Sequence, residues 1–107
     1  MPMTSSYATD APTRDDIDRR PGALVLEFGT AWCGYCQAAQ PLIAQAFAAY
    51  PQVDHVKVED GSGRPLGRSF GVKLWPSLIF LRDGHEVARL VRPDRAQDIV
   101  QALGRIA

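Results

Sequence analysis

Cysteine is nearly missing from this chain: its 107 residues include two, Cys33 and Cys36. Two thiols cannot build the disulfide scaffold of small secreted domains. A bridge between them closes a very small loop and removes little entropy from the unfolded chain. Net charge is missing too, because twelve basic and twelve acidic side chains cancel. Without a long basic stretch, nucleic acid and anionic membranes are poor partners, which leaves proteins and small molecules. No run approaches the roughly 20 apolar residues of a membrane span. Residues 1–22 hold no apolar stretch of the roughly 7–15 residues of a secretory signal. Arg19-Arg20 ahead of residues 23–28 offers a twin-arginine alternative, but Glu27 interrupts that apolar run, which suits a core strand better. The expected compartment is therefore a reducing one, the cytoplasm. A trimmed export leader would place the chain in the periplasm instead.

What is present describes one globular domain over residues 1–107, with 46% apolar and 22% charged residues. Residues 1–12 show little period and are expected to be loose or to hold a short edge strand at 3–7. Thr13 followed by Asp16 is an N-cap signal for a short helix over 13–20, which Pro21-Gly22 ends. Residues 23–28 read as a central strand. Residues 33–50 carry Ala39, Leu42, Ile43, Ala46, Phe47 and Tyr50 at the spacing of one buried helical face. Pro41 interrupts the hydrogen-bond ladder of that helix. Residues 53–59 alternate, with Asp54, Val56 and Val58 on one face and Val53, His55, Lys57 and Glu59 on the other. A short helix over 64–70, a strand over 77–81, the Asp83-Gly84 hairpin turn, a strand over 86–92 and a last helix over 93–105 follow. Alternating strands and helices predict a parallel core, and the hairpin adds an antiparallel edge.

The two cysteines sit where this pattern turns from strand to helix. A sulfur at a helix N-terminus faces unpaired N–H groups and the positive end of the dipole, which favours thiolate over thiol. A thiolate beside a second thiol exchanges disulfides with other molecules. Cys33, at the helix mouth, is the expected nucleophile. Cys36, one turn inside, is the expected resolving thiol. Two competing readings are half of a zinc site and a pair of inert buried thiols. Zinc needs four ligands, and His55 and His85 lack the usual close spacing.

A C-x-x-C pair in a β-α-β pattern reads as a thioredoxin-like redox motif. The segment Phe28-Gly29-Thr30-Ala31-Trp32-Cys33-Gly34-Tyr35-Cys36 resembles the active-site segment of the thioredoxin family. Pro41, the stretch from Phe70 through Trp75-Pro76-Ser77, and Asp83-Gly84 are similar to further family landmarks, so that the likeness covers residues 20–107. The resemblance implies a thioredoxin fold: a central mixed sheet of four to five strands flanked by about four helices. It implies that Glu27 occupies the family's buried acid position, usually Asp, which moves protons to and from the resolving cysteine. Lys57 matches the lysine that pairs with that acid. The competing reading has Glu27 reaching water at a strand end and Lys57 on a solvated face. A cis Trp75–Pro76 bond is implied as well, next to the cysteines, with the backbone of Trp75 able to pair with an extended substrate. Trp32, Gly34, Tyr35, Trp75 and Pro76 form the implied substrate-binding set.

Three departures from the family pattern stand out. Tyr35 replaces the proline usual in thioredoxins and keeps an N–H able to stabilise a thiolate, which predicts a less reducing couple. Leu74 and Arg92 stand where the family commonly has glycines beside the substrate groove, which predicts a narrower set of partners. The function expected is a thiol–disulfide oxidoreductase that reduces protein disulfides as a cytoplasmic monomer. It needs no bound cofactor, and resemblance implies reducing equivalents from NADPH through a thioredoxin reductase. Alternatives are an exported disulfide oxidase or isomerase, a glutathione-dependent enzyme, and a protein-binding module with incidental redox activity.

Overall fold

Apolar alternation in four short runs builds a four-stranded sheet in the computed structural model, which describes residues 6–8 and 10–107. The chain runs α1 (Arg14–Asp18), β1 (Ala23–Gly29), α2 (Gly34–Ala48), β2 (Asp54–Glu59), α3 (Pro65–Ser69), β3 (Ser77–Arg82), β4 (His85–Val91) and α4 (Ala96–Ile106). The order across the sheet is β2-β1-β3-β4. Most of the edge strand proposed at 3–7 lies outside the described residues. Just beyond it, Ala8 forms a single parallel bridge to Val58, with Ala8 N–H donating to the Lys57 carbonyl at 2.8 Å.

The parallel core is smaller than the sequence pattern predicts. β1 and β2 pair in parallel, but β3 lies antiparallel to both β1 and β4. The short α3 does not run back along the sheet as a crossover helix would. The chain leaves β2 and enters β3 at the same end of the sheet. There Asp60 N–H bonds the Gly29 carbonyl, and Ser77 stands opposite Phe28.

Local chemistry sets the boundaries. Thr13 and Asp16 form a reciprocal capping box on α1. α2 stops at Ala48, two residues short of its apolar pattern, because Pro51 disfavours helical geometry in the residue before it. α4 begins at Ala96 rather than 93: Arg92 adopts φ 51° and Arg95 is extended, so the intervening residues turn the chain off β4. Asp83 and Gly84 both have positive φ, the geometry of a tight type I′ hairpin.

Two apolar layers cover the sheet. On one face α2 and α4 pack Ile43, Phe47, Ile99 and Leu103 over Val25, Leu78 and Phe80. On the other, Ile17, Leu66 and Phe70 cover Leu24, Leu26, Phe28, Ile79 and Leu81. Strand alternation puts Glu27 on the same face as Val25, under α2. The apolar layer is interrupted there.

Candidate active site

The sheet end at Gly29 and the N-terminus of α2 meet at the two cysteines. Cys33 is the N-cap of α2, in extended conformation, and its sulfur accepts the Cys36 backbone N–H at 3.2 Å. An anionic sulfur is favoured at that position by the N–H group and by the helix dipole. Both cysteines are free thiols. Cys33 retains 8% of its surface and Cys36 only 1%, so an incoming disulfide reaches Cys33 first. Burial, followed by the hydrogen bond to Cys33, pushes the Cys36 thiol up to about 11. Backbone Thr30 and the Tyr7 hydroxyl oppose that rise. Cys36 is thus held as a neutral thiol.

An aromatic rim surrounds Cys33. Trp32 is 74% exposed and meets Trp75 edge to face, with ring centroids 5.6 Å apart. Trp75 is held from behind, its indole N–H donating to Asp60 Oδ2 at 2.8 Å. The Trp75–Pro76 peptide bond is cis. Tyr35 is 61% exposed, and the Arg92 guanidinium lies 3.9 Å from its ring centre. Arg92 Nε also donates to the Trp75 carbonyl at 2.9 Å, so this side chain links Tyr35 to the cis-proline loop. Leu74 is exposed on that loop, and Gly34 faces open space.

Beneath α2 lies a buried polar chain. Glu27 is fully buried. Its Oε1 lies 2.9 Å from His55 Nε2, and its Oε2 accepts from Gln40 Nε2 at 2.8 Å. Gln40 donates to the Cys36 carbonyl at 2.9 Å and accepts from Lys57 Nζ at 3.0 Å. Glu27 therefore does not reach water at a strand end, and Lys57 is not on a solvated face. Lys57 connects to Glu27 through Gln40, while His55 meets the carboxylate directly. Sequence pattern brings His55 forward only as a strand residue and a zinc candidate, Tyr7 only as the end of an edge strand, and Gln40 not at all. Two signals were there to find: His55 shares the alternating face of Lys57, and Gln40 lies one helical turn after Cys36. Tyr7 had no such signal, because its neighbours show no period. No group of three or more His, Cys, Asp or Glu able to hold a metal occurs among the described residues.

The profile of the thioredoxin family matches residues 6–105, and the chain belongs to that family. It is 56% identical to thioredoxin 2 of Pseudomonas aeruginosa, solved in its reduced form, with a TM-score of 0.85 over 96% of this chain and 99% of that one. It is 33% identical over 85 residues to a thioredoxin of Chlamydia muridarum, a match covering 78% of this chain and 82% of the relative. It is 28% identical over 102 residues to thioredoxin-2 of Pyricularia oryzae, covering 94% of this chain and 60% of the relative. The chain thus spans about six-tenths of the length of some of the curated relatives it matches. The fold is the thioredoxin fold, a mixed sheet of four strands with four helices.

Proposed function

We propose that this chain is a thiol–disulfide oxidoreductase that reduces protein disulfides. The observation that carries this reading is the pair of thiols at the mouth of α2, with Cys36 N–H on Cys33 Sγ and exposed Trp32 beside them. Cys33, as thiolate, attacks a substrate disulfide, forms a mixed disulfide and releases one substrate thiol. Cys36 then loses its proton and attacks the Cys33 sulfur. The Cys33–Cys36 bond forms and the second substrate thiolate leaves. The Glu27 cluster is the route for the Cys36 proton. Trp32, Gly34, Tyr35, Trp75 and Pro76 bind the substrate segment. Family membership supports disulfide-bearing proteins as substrates. A thioredoxin reductase drawing on NADPH would restore the dithiol, and the chain would act as a monomer in the cytoplasm.

The competing direction, an exported oxidase or isomerase, draws on Tyr35. A tyrosine keeps the backbone N–H that proline lacks, and that donor favours the reduced form. The equilibrium potential decides between the two. Typical values are about −270 mV for thioredoxin and about −180 mV for protein disulfide isomerase. Redox titration followed by Trp32 fluorescence should give a value between them, nearer the thioredoxin end, and Tyr35→Pro should lower it. Cys33→Ser should take disulfide reduction to background. If that variant still reduces disulfides, or if the parent fails to cycle with dithiothreitol, the enzyme reading is wrong.

A further inference from the structure

The N-terminal segment brings an unassigned group to the resolving sulfur. The bridge from Ala8 to Val58 sets Tyr7 along the outer edge of β2. Lys57 Nζ stands 4.4 Å from the centre of the Tyr7 ring and holds it there as a cation on an aromatic face. The phenol oxygen is buried and makes no side-chain hydrogen bond of ordinary geometry among the described residues. It is nevertheless close enough to the Cys36 side chain for each group to shift the titration of the other.

The group it faces is Cys36 Sγ. A methyl carbon built on Gly29 would lie 2.5 Å from that sulfur and 2.8 Å from the Tyr7 oxygen, so both atoms converge on the bare backbone of Gly29. Any side chain at position 29 would push between them. The other ionisable groups around Cys36 are Cys33 on α2, Glu27 on β1 with its partner His55, and Lys57 and Glu59 on β2. Tyr7, Thr30, Gln40, Lys57 and Glu59 line a cleft of about 440 Å³ that opens beside Cys36. Burial first, then the negative charge of Glu27 and Cys36, holds the phenol well above its ordinary range, so it stays protonated and keeps a hydrogen to donate.

We infer that Tyr7 is a catalytic residue of the resolving step, its hydroxyl donating a hydrogen bond to Cys36 Sγ as that sulfur becomes anionic. In the resting dithiol Cys36 is a neutral thiol and a weak acceptor. When the Cys36 proton leaves through the cleft, charge builds on sulfur and the phenol turns onto it. Tyr7 keeps its own proton throughout. The Cys36 thiolate attacks Cys33 sulfur, the bond between Cys33 and the substrate breaks, and the departing thiolate carries the charge away. The inference rests on the dithiol-exchange reading.

The effect has a calculable sign. Loss of a donor that lowers the Cys36 pKa by one unit reduces the thiolate fraction about tenfold, while the remaining thiolate is roughly threefold more nucleophilic. The net change is a slowing of about threefold at neutral pH. The test mixes the reduced full chain with 5,5′-dithiobis(2-nitrobenzoate), quenches in acid between pH 5.5 and 8, and counts the Cys33 mixed disulfide by mass. In Tyr7→Phe its formation should keep the parental rate while its decay slows about threefold. Site-specific incorporation of 3-fluorotyrosine at position 7, whose more acidic hydroxyl is a stronger donor, should speed the decay. A structural role for Tyr7 would not reverse sign between two rings of the same shape. Equal decay in all three proteins overturns the inference and leaves the dithiol reading intact. If Tyr7→Phe does not fold, the fluorinated protein decides alone. A parent that never releases the second thionitrobenzoate overturns the dithiol reading itself.

Discussion

The two sides of β1 under α2 differ in kind. Toward β3, Val25, Leu78 and Phe80 meet Ile99 and Leu103 in a dry layer. Toward β2, the same sheet face buries Glu27, His55 and Lys57 against Gln40. Phe47 joins the halves, its ring centre 4.9 Å from that of His55. Burying charge is expensive even when it is paired, and apolar residues of similar volume are often as stable or more so. The polar half is therefore not where the fold gains its stability. It lies under Cys36, whose carbonyl accepts from Gln40. One face of one sheet thus carries a dry half and a polar half.

Paired substitutions sharpen that contrast most. In the dry half, Leu103→Ala should cost about 2–5 kcal/mol in denaturant unfolding, since it leaves a cavity between α4 and the sheet. In the polar half, His55→Leu should cost about 3 kcal/mol because Glu27 stays buried with only Gln40 as a direct partner. Adding Glu27→Leu should restore most of that loss while disulfide turnover falls. A double variant as unstable as the single would mean that the polar half also builds stability, and the contrast would break.

The next effect concerns pH. The folded Cys36 thiol sits at about 11, above its unfolded value of about 8.5. Its burial therefore favours the reduced fold fully below about pH 8.5, and that contribution is lost as pH climbs toward 11. Thermal midpoints of the reduced protein should fall between pH 8.5 and 10.5 relative to the oxidised protein, which has no thiol to titrate. Parallel curves for the two forms would refute the assignment.

The smallest effect belongs to the rim. Arg92 has φ 51°, a conformation that costs a non-glycine residue on the order of 1 kcal/mol. Arg92→Gly should raise stability by up to about that amount and speed reduction of a generic disulfide such as insulin. The side chain would no longer tie Tyr35 to the Trp75 carbonyl. An unchanged rate would show that Arg92 does not guard the docking edge.

Much of the site could be read from residue order because its parts are local. Cys33 and Cys36 are two residues apart at a strand-to-helix switch, and a helix cap needs only neighbouring atoms. The Thr13 capping box and the Asp83-Gly84 hairpin were legible for the same reason. Sheet direction was not, because it depended on which end of the sheet the connection over residues 60–76 packs against. The partner of Glu27 was not legible either. The parallel register sets Glu27 opposite Lys57, yet the side-chain contacts go to His55 and Gln40. Such contacts depend on how α2 lies over both strands.

By itself the sequence determined the dithiol, its place at a helix mouth, the aromatic residues around it and the family. Each rests on spacing along the chain, which short-range sterics and hydrogen bonding convert directly into geometry. Only the tertiary structure decided what surrounds Cys36: a tyrosine from the N-terminal segment, a glutamine from its own helix, and a glutamate, histidine and lysine from two strands. Those groups lie up to 50 positions apart in the chain. They meet because β1 and β2 pair in parallel and α2 folds across them, a condition that no local pattern encodes.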